Sequence, residues 1–522
     1  MMACNQYENS QEAVPVEALF SELPSSWTQV DFINQLEYSE EFNVYTYRNF
    51  YNGGGVALGD VNNDGLIDIY MIGNMVSNRL YLNQGDFQFK DVTDQAGVAC
   101  ANVWSTGVSL VDVNGDNLLD IYVCKSGNPE GEHRHNELFI CDGISEDGIP
   151  TYSEHAEEYG IADKGFSTHA AFFDMDKDGD LDCYLLNNSF RPIGQFDLRK
   201  NERDNRDSLG GNKLYRNDGG KFVDISEKAG IYGSIIGFGL GVTVGDVNRD
   251  GWQDIYVSND FFERDYLYIN NHDGTFTESL EKQMREISAA SMGADMADLN
   301  NDGYPEVFVT DMLPEGEERM KTKTTFEDWN KYQSNVKNGY YHQFTRNVLQ
   351  LNNGPTTPDG EITFSEIGRL SGVHATDWSW GALIMDLDNN GYKDIFVANG
   401  IYQDLTDQDF IHFIADPRTV KTIISKEGVD FKQLIDAIPS NPIPNYIFAN
   451  NGSLSLENKA AEWGLGTPSH SNGSAYGDLD NDGDLDLVIN NVNMPPFIYR
   501  NNAETLLPDH HYLQFILTGD KN

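Results

Sequence analysis

Short apolar runs recur along the chain in a fixed order, and none approaches the ~18 residues of a membrane span. A small-residue apolar segment comes first, as in Gly53–Gly59 or Trp380–Met385. A polar nonapeptide follows, then a β-branched and aromatic run such as Ile69–Ile72, Ile121–Val123, Ile255–Val257 or Ile395–Val397. A third run (Asn78–Asn83, Asn136–Ile140, Asn212–Asn217, Tyr266–Asn270, Asn347–Asn352, Asn445–Asn450) leads through a turn to a fourth, such as Phe89–Val92, Phe222–Ile225 or Phe364–Ile367. These are strand signals. The nonapeptide begins at Asp60, Asp112, Asp174, Asp246, Asp298, Asp386 and Asp478. Four short strands repeated seven times predict an all-β fold, a seven-bladed β-propeller of four-stranded blades.

Five residues before each nonapeptide stands Gly55, Gly107, Gly241, Gly293, Gly381 or Gly473, with His169 in the third repeat. Glycine at that point suits first strands that converge on a central channel. The propeller is expected over 28–502. Its last repeat runs out after Phe497–Arg500, so the segment near Val30–Ile33 is expected to supply the missing strand. Residues 1–27 read as a linker and 503–522 as the start of a truncated C-terminal β domain.

Within the nonapeptide, positions 1, 3, 5 and 9 carry oxygen-bearing side chains, and position 6 is glycine in six of seven copies. Ca²⁺ takes six to eight oxygens in flexible geometry, and a loop with several carboxylates and one carbonyl supplies them. The spacing is similar to the first half of an EF-hand loop without the glutamate at position 12. With the carbonyl of position 7 included, the expected ligands are Asp60, Asn62, Asp64, Leu66 and Asp68 in the first loop. The second offers Asp112, Asn114, Asp116, Leu118 and Asp120, and the third Asp174, Asp176, Asp178, Asp180 and Asp182. The fourth offers Asp246, Asn248, Asp250, Trp252 and Asp254, and the fifth Asp298, Asn300, Asp302, Tyr304 and Glu306. The sixth offers Asp386, Asp388, Asn390, Tyr392 and Asp394, and the seventh Asp478, Asp480, Asp482, Asp484 and Asp486. Four carboxylates each make the third and seventh loops the expected strongest sites. Asn117 at position 6, Pro305-Glu306 in the fifth loop and Asn390 in the sixth point to weaker ones. Up to seven structural Ca²⁺ are expected.

Charge sharpens this picture. The chain has 83 acidic and 35 basic side chains, a net −48, which excludes a nucleic-acid backbone as partner. Five cysteines without a CxxC pair exclude a zinc ribbon and a disulfide scaffold. The repeats resemble the FG-GAP/VCBS propellers, related to the integrin α-subunit head. Asp311–Glu315 and the tail His511–Asn522 resemble the ASPIC/UnbV branch, cartilage acidic protein-like, in which a small β domain follows the propeller. The resemblance implies the fold and Ca²⁺, and leaves the ligand open.

Three long insertions, 188–211, 311–346 and 400–444, fall between second and third strands, hence on the face opposite the nonapeptide loops. They hold nearly balanced charge and the aromatics Phe190, Phe196, Phe326, Trp329, Tyr332, Tyr340, Tyr341, Phe344, Tyr402, Phe410 and Phe413. That face is expected to bind a glycan or a surface protein, the aromatics otherwise serving to pack the insertions onto the disc. No nucleophile elbow, HExxH or phosphate loop is present, so no catalytic residue is assigned and the chain reads as a non-enzymatic binding and adhesion module. The alternative is a polysaccharide lyase or hydrolase using Arg191, Arg199, Tyr340 and His342. The start, Met1–Gln6, resembles the end of a bacterial lipoprotein signal with Cys4 as the acylated residue. The expected location is therefore extracytoplasmic, as an outer-membrane lipoprotein, at the cell surface or in the periplasm, with any membrane attachment made through Cys4.

Overall fold

The computed structural model describes residues 18–515 apart from 102, 128–133, 324–327, 357–359, 419–423 and 426–427. Seven four-stranded antiparallel sheets follow one another as the blades of a ring. Blade 1 comprises Val56–Gly59, Asp68–Met71, Arg79–Asn83 and Phe89–Asp91. The first strands of blades 2 to 7 are Trp104–Val111, Phe166–Phe173, Gly239–Gly245, Ala294–Ala297, Ser379–Met385 and Ser471–Gly477. Every nonapeptide is the hairpin between first and second strands. Gly59 thus pairs with Asp68, Val111 with Asp120 and Gly477 with Asp486.

The second strands are buried along their whole length. Their alternate residues face opposite neighbours. Tyr70 and Ile72 of blade 1 pack with Ile121 and Val123 of blade 2, while Ile69 and Met71 pack with Val488 and Ile498 of blade 7. Burial on both faces explains why these runs are continuously apolar instead of alternating. The hydrophobic core is accordingly a series of slabs between blades, so each blade depends on both neighbours.

Closure of the ring corrects one expectation. The fourth strand of blade 7 is Phe20–Glu22, antiparallel to Tyr499–Asn501 with Phe20 opposite Asn501. It lies inside the stretch taken as a linker, so the propeller begins before residue 28. Val30 and Phe32 are buried in the slab between blades 7 and 1, which gives that segment its strand-like alternation. The described part of 503–522 holds a helix, Ala503–Leu506, and no strand. Cys4 and residues 516–522 lie outside the described residues.

A recurrent asparagine at or near the end of the third strand locks neighbouring blades together. The Asn450 amide donates to Lys393 O in its own blade and to Leu299 O of blade 5, at 2.9 and 2.8 Å. Asn83 does the same across the closure, to Ile67 O and Leu479 O, and Asn217, Asn270, Asn352 and Asn501 repeat it. Cys141 stands at this place in blade 2 and has no amide to offer. Asn450→Leu keeps the volume and strands two buried carbonyls and the Gly452 N–H. The expected cost is about 3 kcal/mol, or about 3 °C in the thermal midpoint of a chain this long, and a melt of the variant measures it.

Candidate metal centres

Each nonapeptide folds around its own side chains. In blade 1, Asp60 accepts from Asp64 N and Gly65 N, and Asp64 accepts from Leu66 N at 2.9 Å. The bond from the position-6 N–H to the position-1 carboxylate recurs in all seven loops. Gly65 has φ +87° with open space around its absent Cβ, so backbone conformation and not crowding requires glycine there. Asn117 takes the place in blade 2 with φ 66°, within asparagine's tolerance.

Position 9 is the most unusual. Asp68, Asp120, Asp182, Asp254, Glu306, Asp394 and Asp486 are all 0% exposed. One oxygen accepts from the position-2 N–H, as Asp68 does from Val61 N at 2.9 Å. The other accepts from the backbone near the end of the third strand, as from Asn83 N at 2.8 Å. Among the described residues none of the seven makes an ion pair with a basic side chain; the arginine and histidine near these loops reach positions 3 and 5 instead. Burial pushes Asp68, Asp182, Asp254 and Glu306 up to about 7 and Asp120 up to about 6, and holds Asp394 and Asp486 well above the ordinary carboxylate range. Seven buried carboxylates without a counter-charge are costly unless a cation sits beside them.

Three loops bring three carboxylates within 4.8 Å of one another: Asp174, Asp176 and Asp182; Asp386, Asp388 and Asp394; and Asp478, Asp480 and Asp486. Asp174 Oδ1, Asp176 Oδ1 and Asp480 Oδ1 are buried there with no hydrogen-bond partner. Such oxygens fit a hard divalent cation. The third and seventh loops were expected to lead. The sixth joins them because Asn390 at position 5 uses its side chain on Tyr392 N, as aspartate does elsewhere, and costs the cluster nothing. In the first, second, fourth and fifth loops asparagine occupies position 3, so fewer carboxylates converge. Asp482 and Asp484 group instead with Glu504.

Position 4, to which the sequence reading assigned no role, ties the loops to one another. It has positive φ in all seven loops, as in Asn63, Lys177 and Asn481. Asn63 donates to Asn117 O of the next loop, Asn301 to Gly391 O, Asn389 to Gly483 O and Asn481 to Gly65 O. Lys177 lies 4.4 Å from the Trp252 ring centroid and Arg249 5.1 Å from that of Tyr304. Only Gly115 has no side chain to offer. The recurrence of asparagine at position 4 was the available signal.

The opposite face is largely filled by the chain itself. Residues 34–52 cross the channel mouth and touch most blades. Phe42 packs on Trp104, Tyr47 on Phe166 and Tyr51 on Tyr402, and Arg48 lies over Phe238 and donates to Arg191 O and Ser189 O. Asn52 O accepts from Asn472. Of the insertion aromatics, Phe190 stacks on Phe166 at 3.7 Å, Phe196 and Tyr340 pack on Phe262, and Phe410 is buried. Phe326 lies outside the described residues. Trp329 differs. It opens the helix Trp329–Lys337, which has no buried residue, and is 69% exposed. Its ring stacks on Tyr332 at 5.4 Å and 28°, and Tyr332 on Phe344 at 5.5 Å and 30°.

The residues weighed for catalysis each hold a local partner. Arg191 pairs with Glu202 at 2.6 Å, Arg199 with Asp197 at 2.8 Å, Tyr340 donates to Lys200 O, and His342 bonds Tyr332 at 2.6 Å. His169 lines the channel, in a cavity of about 330 Å³.

The FG-GAP-like repeat family matches residues 43–123, 203–257 and 246–309. Cartilage acidic protein 1 of Xenopus tropicalis is 29% identical over 212 residues, which span 40% of this chain and 29% of that protein. Among solved structures, BBS1N in complex with ARL6DN aligns with TM-score 0.41 and 10% identity over 86% of this chain and 91% of that one. The rhamnogalacturonan lyase of Bacillus licheniformis aligns with TM-score 0.39 and 13% identity over 87% and 72%. Likenesses at that level carry no functional weight. With the repeat match and the ring of blades together, this chain is a seven-bladed β-propeller whose residues 43–123 and 203–309 match the FG-GAP-like repeat, similar over part of its length to a cartilage acidic protein.

Proposed function

We propose that this chain is a calcium-stabilised, extracytoplasmic binding module that captures a glycan on the face opposite its acidic loops. The Trp329–Tyr332–Phe344 stack carries this reading: a large exposed indole held flat by two further rings offers a stacking surface for a sugar ring. The surrounding insertions have nearly balanced charge, so an acidic glycan is repelled less there than by the rest of the molecule. The loops suit millimolar extracellular Ca²⁺. Among the described residues no helix is long and apolar enough to cross a membrane. Membrane attachment, where it exists, would fall to an acyl chain at Cys4.

A glycan array probed with the Ca²⁺-loaded chain is the test, followed by Trp329→Ala against the best binder. The variant should lose about 10-fold or more in affinity, a loss typical of an aromatic anchor. Its thermal midpoint should hold, because so exposed a side chain contributes little to packing. Binding that survives the substitution would move the site elsewhere. Release of sugar products in the same assay would replace this reading with a lyase or hydrolase, and capture of protein but no glycan would change the partner.

A further inference from the structure

The propeller channel departs from its own repeat at two places that face each other's space. Three residues before each nonapeptide the blades carry Ala57, Ser109, Ala171, Thr243, Leu383 and Ala475, but blade 5 carries Asp295. Five residues before it, blade 3 has His169 where every other blade has glycine. Both side chains line the same cavity of about 330 Å³, within the size range of small-molecule sites. Other blades keep the same backbone at these positions without a carboxylate or an imidazole, so the blade fold does not call for them.

Asn49, Asn52 and Gly53, at the end of the segment that crosses the insertion face, line the floor of this cavity. Toward the acidic loops Leu58, Leu110, Phe172, Val244 and Met296 are partly exposed and Tyr476 is 40% exposed, which leaves that side accessible. The walls hold both kinds of group: Ser474 keeps an unpartnered hydroxyl and the neutral His169 ring one N–H, while two threonines present acceptors. Thr106 spends its hydroxyl proton on Ser167 O and Cys124 O, and Thr168 donates to Gly239 O at 2.9 Å, so each offers only lone pairs. Asp295 accepts from Met296 N and Ile384 N and remains an acceptor on both oxygens. Trp380 also lines the cavity, its Nε1 committed to Gly400 O at 2.7 Å and its ring packed with the cluster that includes Tyr47, Phe50 and Tyr51. No lysine or arginine lines it among the described residues. Burial lowers the His169 imidazole below its ordinary value, so it adds no positive charge at neutral pH.

We propose that this cavity binds a small organic cation of the amino-sugar class, entering from the acidic-loop face, with its ammonium group against Asp295 and its hydroxyls on the threonine oxygens. A pocket with a single carboxylate and, among the described residues, no lysine or arginine selects an ammonium-bearing sugar over a neutral one. The site is separate from the Trp329 stack and stands whether or not that surface binds glycan.

Isothermal titration of the full chain in millimolar Ca²⁺ with glucosamine, and in parallel with glucose, tests the assignment at fixed ionic strength. Glucosamine should bind saturably with one site per chain, at least tenfold tighter than glucose. A surface with 83 acidic side chains attracts cations everywhere, so the single-residue variant is the deciding measurement. Asp295→Ala installs the residue of three other blades and should weaken glucosamine at least tenfold. Asp295→Asn, which keeps the volume and removes the charge, should do the same where alanine lowers the thermal midpoint. Trp329→Ala should leave glucosamine binding unchanged. Equal affinity for glucose, no saturable glucosamine binding, or indifference to both Asp295 variants would each overturn the proposal.

Discussion

Removal of calcium should lower the thermal midpoint of this protein by about 9 °C. The magnitude follows from the loops. With a dissociation constant of ~10⁻⁴ M, typical of extracellular modules, millimolar Ca²⁺ contributes about 1.4 kcal/mol per occupied site. Seven sites reach about 10 kcal/mol, and at ~2 cal/mol/K per residue a chain of this size loses roughly 1 °C per kcal/mol. The effect is distributed, since each blade leans on its neighbours and the loops are clasped at position 4, so a cation in one loop steadies the next. Melts in millimolar Ca²⁺ and after exhaustive chelation measure the shift, and metal analysis of the dialysed protein counts the ions. The three loops with grouped carboxylates, at Asp174, Asp386 and Asp478, should hold theirs longest. A midpoint indifferent to Ca²⁺ would show that the loops are turns satisfied by their own backbone, and one raised equally by Mg²⁺ would show unselective neutralisation of acidic charge.

Much of the architecture was legible because it is written seven times. The hairpin position of the nonapeptide, the buried second strands and the glycines of the channel each recur in register, and a chance pattern does not survive that repetition. What occurs once was not legible. Val30 and Phe32 alternate as a strand does, yet Phe20–Glu22, with only one large apolar residue, makes the ladder to Tyr499–Asn501, because pairing there depends on backbone bonds and not on side-chain period. The segment 34–52 has no helical or strand period at all. Its aromatics answer to Trp104, Phe166 and Tyr402, which are distant in sequence. The asparagines at 83, 217, 270, 352, 450 and 501 were visible as a recurrent letter, but only the geometry shows that each amide reaches two carbonyls in two blades. The sixth loop ranks higher than a count of its acids suggests, because Asn390 at position 5 gives its oxygen to Tyr392 N as the aspartates there do, while Asp386, Asp388 and Asp394 converge.

Calcium should abolish the loss of stability that the depleted protein shows between about pH 4 and 7. In the depleted protein the position-9 acids hold protons far more tightly than unfolded aspartate or glutamate, which titrate near 4. Asp68, Asp182, Asp254 and Glu306 reach about 7 and Asp120 about 6. Between those limits the folded chain binds more protons than the unfolded one, so stability falls as pH rises from about 4 to about 7, by up to ~1.4 kcal/mol per pH unit for each group. Opposing groups limit the gain on the acid side. His470, lowered to about 4 by burial, must be neutral in the fold and loses stability as pH drops below its unfolded value. Asp407, held below the ordinary range beside Lys323, withdraws its contribution at still lower pH. The depleted protein should therefore be most stable at a mildly acidic pH and soften toward neutrality. Ca²⁺ needs the same carboxylates deprotonated, so in loaded protein they bind no more protons than in the unfolded chain and the loss of stability seen in depleted protein is cancelled. Melts from pH 4.5 to 8 with and without millimolar Ca²⁺ should give a falling curve for depleted protein and a nearly level one for loaded protein, diverging toward pH 8. Parallel curves would mean that the buried position-9 carboxylates exchange neither protons nor cations with solvent, and that the acidic loops are scaffolding alone.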